Sequence, residues 1–354
     1  MDIKKHASGV TIKDIAQMAH TSHATVSRVL NNPEYPVSDA LRERVLRIAK
    51  ESHYVPNLIG RSLKVQMDSD IGVIVPNFSN PFYAIFLAAI EKALSQNGLN
   101  MLVVSTNRSE KLEKTAIQNL LMRRVGAIVM LSQITDHMML AYAAERGTRL
   151  VMMNDWLRDN GCVNIYADSE QAGQLVTEHL IGLGHTRIGY ISSPLDRYSR
   201  SAFHLGYLKA LALHNIRFLS AYEMIDQQEA NQSSEVYEYE RGVKLTEQLM
   251  VQCPGLTAII ACNDYMALGA IAALQGRGMK LPGQISVVGR DNIPMAQMTT
   301  PALTTISEPI REMTQALINI LCKPVSAPAD AANPGDIVCH GTLFLRDSTA
   351  KART

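Results

Sequence analysis

Thr11-Ile12-Lys13-Asp14-Ile15-Ala16, followed at once by Ser22-His23-Ala24-Thr25-Val26-Ser27-Arg28-Val29-Leu30-Asn31, decides how this chain begins. Thr11 is placed to cap a helix that has Asp14 at its third position. Ile12, Ile15, Ala16 and Ala19 recur at i, i+3, i+4 and i+7, which gives that helix one apolar face. His20 and Thr21 break it. Ser22 caps a second, shorter helix whose buried stripe is Val26, Val29 and Leu30, and Asn31, Asn32 and Pro33 stop it. A third helix, from Ser38 or Asp39, buries Leu41, Val45, Ile48 and Ala49 and turns Arg42, Arg44, Arg47 and Lys50 outward. Three such helices make a minimal core.

The second helix turns His23, Ala24, Ser27 and Arg28 away from that core. This is the part of a helix-turn-helix that meets base edges, while the preceding helix crosses the backbone. Arg28 can donate twice to guanine O6 and N7, His23 can donate or accept, and Ala24 can pack on a thymine methyl. Ser22, Thr25 and Ser27 are short hydroxyls suited to phosphate. Thr11, at the head of the first helix, joins the same DNA-facing set. Charge points the same way: residues 1–65 hold ten cations and six anions, a balance of +4, whereas the whole chain carries +1, so the remainder carries −3. A basic head on a slightly acidic body suits a small end that touches phosphate, although a solvated charged face is the plainer reading of charge alone. Downstream, Asn57 can cap about two turns of helix running through Arg61 and Leu63 to Lys64, too short to hold alone in water. An apolar Leu63 beside Arg61 and Lys64 has the chemistry of a minor-groove wedge, and the same segment also reads as a linker.

The remaining chain alternates short β-rich runs with helical stretches: Ile71 to Val75, Met101 to Ser105, Ala127 to Leu131, Leu150 to Met153, Ile188 to Ser192, Ala258 to Ala261 and Ile285 to Gly289. Such alternation implies right-handed βαβ units and parallel sheets covered on both faces. With 354 residues, 47% of them hydrophobic, the chain has material for more than one core, and the β-rich part is long enough for two lobes. The five cysteines lie far apart in no metal-ligand spacing and read as buried reduced thiols of a cytosolic protein. The N-terminus has no apolar h-region, and no run is long enough to span a bilayer. Glycine-rich phosphate loops, catalytic clusters and metal-ligand spacings are absent, so neither an enzyme nor a resident cofactor is expected.

Taken with Tyr54-Val55-Pro56-Asn57, Arg61-Ser62-Leu63, Pro76-Asn77-Phe78-Ser79-Asn80-Pro81-Phe82-Tyr83, Gly182 to Gly189, Asn263 to Gly269 and Pro301 to Ile306, the opening motifs resemble the LacI/GalR family over essentially the whole chain. The resemblance implies an all-α helix-turn-helix head on an α/β core like that of periplasmic binding proteins: two doubly wound parallel-sheet lobes joined by three crossovers. It implies a bacterial, cytoplasmic, nucleoid-associated regulator, a repressor by expectation. Such a protein binds double-stranded, palindromic operator DNA as a homodimer or tetramer, with no membrane partner. By family position His23, Ala24 and Arg28 read bases, and Leu63 enters the centre of the palindrome from a hinge helix that folds on DNA. The implied small-molecule effector, sugar-like or nucleoside-like, falls to Phe82, Trp156, Asp168, Arg197 and Asp291. The two rings suit stacking, the carboxylates accept from hydroxyls, and Arg197 donates in a fork; for each of the five, packing is the competing role.

The expected division is 1–56 for the head, 57–69 for hinge and linker, and 70–354 for effector binding and dimerisation. Within the last, 70–167 and 309–330 are assigned to the N-lobe and 168–308 and 331–350 to the C-lobe. Three departures from the family stand out. Phe203 replaces an arginine that normally grips ligand, Arg290 replaces a common aromatic, and His20 replaces a turn Gly or Asn. Two other readings compete: a sugar-binding or sugar-modifying protein, and a regulator of the same fold that answers to a protein partner instead of a small molecule.

Overall fold

The computed structural model describes residues 10–31, 35–52, 70–131, 142–143, 145–156, 162–227, 236–322 and 336–353. Asn57, Arg61, Leu63 and Lys64 lie outside these residues, as does the expected hinge helix. The chain divides into two compact units, Met1–Met67 and Asp68–Thr354.

In the first unit, α1 (Ile12–Met18) begins at a capping box in which Thr11 and Asp14 bond reciprocally, satisfying backbone donors that a helix start leaves open. His20 takes the left-handed region at φ 51°, so the turn forms without a glycine. Ser22 Oγ then accepts from the Thr25 amide at 3.0 Å and starts α2 (His23–Asn31). The third helix, α3 (Asp39–Glu51), completes a core of Ile15, Ala16, Ala19, Val26, Val29 and Val45, with Leu30, Leu41, Ile48 and Ala49 packed around it. Burial of this one apolar cluster is what holds helices this short.

The second unit contains two six-stranded sheets. The first is built on β1 (Asp70–Val75), β2 (Asn100–Ser105), β3 (Ala127–Met130), β4 (Arg149–Met153) and β5 (Val163–Ala167). The second is built on β6 (Ile188–Ser192), β7 (Glu223–Ile225), β8 (Ala258–Ala261), β9 (Ser286–Asp291) and β10 (Thr304–Ser307). Each gains one late strand, β11 (Ile337–Cys339) beside β5 and β12 (Thr342–Phe344) beside β10. All pairings are parallel except β10 with β12. Strands such as Ile-Gly-Val-Ile-Val and Ala-Ile-Ile-Ala are buried on both faces, as parallel strands under helices must be. Pairs of helices cover the second sheet at very close range. In the pair Ser169–Gly182 and Tyr198–Leu213, a Cβ on Gly206 would sit 2.0 Å from the Glu170 carbonyl oxygen, and one on Gly173 would meet the Phe203 carbonyl equally closely.

The chain crosses between sheets three times: at Asp168, at Glu308-Pro309 and at His340-Gly341. The last crossing corrects an expected boundary. Ile337–Cys339 pairs with Ile165, Tyr166 and Ala167 in the first sheet, so the segment after residue 331 does not belong wholly to the C-lobe. The crossings run side by side. The Asp168 amide donates to the Cys339 carbonyl at 2.8 Å, and Gly341 leaves no room for a Cβ against the Ser307 carbonyl.

Candidate functional site

On the head, the solvent face of α2 carries His23, Ala24 and Arg28 exposed, with Ser27 half-buried at its margin. Ser22 and Thr25, whose hydroxyls bond at 2.8 Å, lie at the start of the helix. Arg28 is held in place: Nη1 donates to the Tyr35 hydroxyl at 2.9 Å and the guanidinium lies 5.4 Å from that ring's centroid. Tyr35 in turn packs on the helical core, and its carbonyl accepts from Arg42. Sequence reading passed over Tyr35 because it lies in the connection after α2, with no periodic pattern to mark it.

In the second unit, loops at the carboxyl ends of both sheets face one another, the position where open α/β sheets bind ligands. Arg197, just before the helix Tyr198–Leu213, reaches from the second sheet to three groups at the strand ends of the first. Nε donates to Asp155 Oδ2 at 2.9 Å, Nη1 to the Tyr83 hydroxyl at 3.2 Å and Nη2 to the Leu131 carbonyl at 2.9 Å. Asp155 also accepts the Trp156 and Ser199 amides. The fork expected to grip an effector is therefore spent on tying the lobes together. A second tie is made by Glu238, which accepts from Arg108 at 2.8 Å and from Asn80 across the lobes, and from Asn263 on its own side.

The other expected ligand groups fare differently. Phe82 is 4% exposed, packed between Tyr83 and Phe86 with ring centroids 5.4 and 5.6 Å away, so neither face is open for stacking. Trp156 is half-buried, 5.3 Å from the Tyr198 ring, and its indole nitrogen donates to Asp336. Asp168 caps the helix Ser169–Gly182 by accepting from the Gln171 amide at 2.9 Å, and its other oxygen lies 3.9 Å from His340 Nδ1. Asp291 is the least satisfied. Its φ of 114° is strained for a side-chain-bearing residue, and its half-buried carboxylate takes no hydrogen bond among the described residues. Desolvation, then the charge of Asp264, raise its pKa well above the usual carboxylate range, against the opposing pull of Arg290.

Behind Asp291 stands a polar frame invisible to sequence reading. Asp264 accepts from the Ile293 amide at 2.9 Å and the Thr305 hydroxyl at 2.5 Å, and burial pushes its carboxyl up to about 7. Arg346 bonds Asn292 and the Leu303 carbonyl. Arg290 lies over the fully buried Phe203 ring at 5.1 Å, so the two departures from the family pattern are in contact. Among the described residues no group of His, Cys, Asp and Glu is arranged to hold a metal, and no helix is long and apolar enough to cross a membrane.

Comparison with known proteins covers both units. The model for bacterial regulatory proteins of the lacI family matches residues 11–57, and that for periplasmic binding proteins and sugar binding domain of LacI family matches 68–344. The chain is 31% identical to the ribose operon repressor of Haemophilus influenzae over 341 residues, 96% of this chain and 98% of the relative. It is 30% identical to the HTH-type transcriptional repressor PurR of Mannheimia succiniciproducens, over 96% of this chain and 99% of that one. A lac repressor dimer solved with operator and the anti-inducer ONPF superposes with a TM-score of 0.80 at 27% identity, covering 97% of this chain and all of the other.

Proposed function

The chain belongs to the LacI family of bacterial regulatory proteins, and from that premise we propose that His23, Ala24 and Arg28 read a palindromic operator while Asp291 receives a small effector in the cleft between the lobes. The protein is a DNA-binding transcriptional regulator, not an enzyme, with operator DNA, a small-molecule effector and a second copy of itself as partners. That activity places it in the bacterial cytoplasm, and we assign it to the nucleoid.

The observation that carries the effector assignment is Asp291: a strained backbone persists where the surrounding structure enforces it, and here it presents an unpaired acceptor at the strand ends. Asp168 and Trp156 are the next candidates, each with one polar group already engaged. Phe82 is left out of the ligand set because it is buried, and Arg197 acts as an interlobe tie. Asn57, Arg61, Leu63 and Lys64 remain proposed operator contacts on chemistry alone, with Thr11, Ser22, Thr25 and Ser27 as phosphate partners.

Two lobes that close on a ligand couple cleft to operator, reciprocally. The test begins with operator selection from a random palindromic library, followed by a screen of neutral sugars and nucleosides for altered DNA binding. Asp291→Asn keeps the shape and tolerates the backbone better than most residues. It should abolish the effector response and leave ligand-free DNA binding close to wild type. A normal response in this variant sinks the site assignment; a chain that selects no operator sinks the regulator itself.

A further inference from the structure

We infer that Trp156, Tyr166 and Tyr198, with the carboxylates of Asp168 and Asp336 at their rim, form a binding site for an organic ammonium cation. The inference rests on and deepens the effector reading of Trp156 and Asp168, and it uses nothing of Asp291.

The three rings come from separate elements and from both lobes. Trp156 follows β4, Tyr166 lies on β5, and Tyr198 opens the helix Tyr198–Leu213 of the second lobe. Tyr198 holds the middle, 5.3 Å from the Trp156 ring and 5.6 Å from that of Tyr166, which it meets edge-on. Each of the three is half-buried, so aromatic surface is left open on all of them. The buried stack of Phe82, Tyr83 and Phe86 has no such opening.

Asp336, exposed just before β11, accepts from the Trp156 indole nitrogen and from the Asn164 amide at 2.8 Å. Both donors are neutral, so the carboxylate keeps its charge. An indole whose N–H is polarised by a carboxylate carries more electron density over its ring, the face a cation seeks. Asp168 accepts the Gln171 amide and stands 3.9 Å from His340, with 33% of its side chain exposed. Both phenols titrate above the usual tyrosine range, first through desolvation and then through the negative groups around them, Asp168 and Asp336 acting on each.

Neighbouring cations already have partners: Arg197 pairs with Asp155, Arg290 with Glu308 and Lys209 with Glu170. The helix starts at this corner are answered as well, since Asp168 takes the Gln171 amide and Asp155 the Ser199 amide. Among the described residues no lysine or arginine pairs with Asp168 or Asp336. Two carboxylates and three ring faces remain. They favour a cation whose methyl or methylene groups cover the rings, whereas an anion is repelled and a hydrated metal ion gains nothing from the rings.

Trp156 is the one tryptophan of the chain, so its emission reads the site directly. The full chain is titrated at constant ionic strength with choline chloride and with dimethylbutanol, its uncharged carbon isostere. Choline should give a saturable change in emission with a Kd at least about tenfold below that of the alcohol. Asp336→Asn keeps an acceptor for the indole and removes the charge; Tyr198→Leu keeps apolar bulk and removes the ring face. Each should raise the choline Kd at least about fivefold in protein whose circular dichroism matches wild type. Equal affinity for choline and the alcohol, or no saturable response to choline up to about 100 mM, overturns the inference. Folded variants that both bind choline as wild type does overturn it too. Should the variants not fold, the charged and uncharged probes on wild-type protein decide. No arm involves operator or Asp291, so failure here is distinct from failure of the effector response.

Discussion

Arg28 is exposed but already oriented, since Tyr35 both accepts its hydrogen bond and lies against its guanidinium. A base reader fixed before contact loses less rotamer freedom on binding. Arg28→Ala should cost about 1 to 3 kcal/mol on selected operator and little on random DNA, since a bidentate base contact carries sequence information and phosphate contacts do not. Titration against both DNAs checks this; equal weakening on the two would refute the base-reader role. Asp264 offers a different test. Its folded pKa, about 7, lies above the ordinary carboxylate value because burial penalises the charge. Its contribution is therefore full below about pH 4 and is lost as pH rises through about 7. Asp264→Asn should flatten the fall in stability across that window, whatever it does to absolute stability, and urea midpoints at several pH values measure the slope. The α2 reading face was legible in sequence because every member lies within two helical turns. What Asp264, Glu308 and Arg290 do was not, because their partners lie far along the chain; Asn80 and Glu238 are 158 positions apart.

The βαβ rhythm showed where both sides of a strand are apolar, which is why β1, β3, β4, β8 and β9 could be read directly. Val163–Ala167 and Thr304–Ser307 escaped because Asn, Thr and Ser dilute the pattern, and the three-residue strands β7, β11 and β12 carry too few side chains to show a period. Helix packing makes a sharper prediction. Gly206→Ala drives a Cβ into backbone oxygen, which no side-chain rearrangement relieves, and should cost about 3 kcal/mol, the upper end for overpacking. Gly182, near the end of the partner helix, has nothing within 4 Å of the added carbon. Gly182→Ala should be neutral or slightly stabilising, and denaturant titration of the pair isolates the contact from helix propensity.

At the scale of the whole second unit, the two interlobe ties determine how far the cleft rests open. Arg108→Glu leaves Glu238 facing a like charge across the lobes and should loosen them, seen as faster hydrogen exchange at residues 77–86 and a larger radius of gyration. Restoring attraction with Glu238→Arg in the same chain should recover most of the change. Equal exchange in wild type and Arg108→Glu would show that the pair does not hold the lobes.

The three crossings behave as the knuckles of a leaf hinge. Asp168 is bonded to Cys339, and Ser307 lies hard against Gly341, so sliding of one lobe along the other is blocked while bending about the common line is not. Such a joint has one soft coordinate. Whatever occupies the cleft can then be expressed only as an angle, and relaxation measurements on the second unit should find a single collective process shared by residues of both lobes.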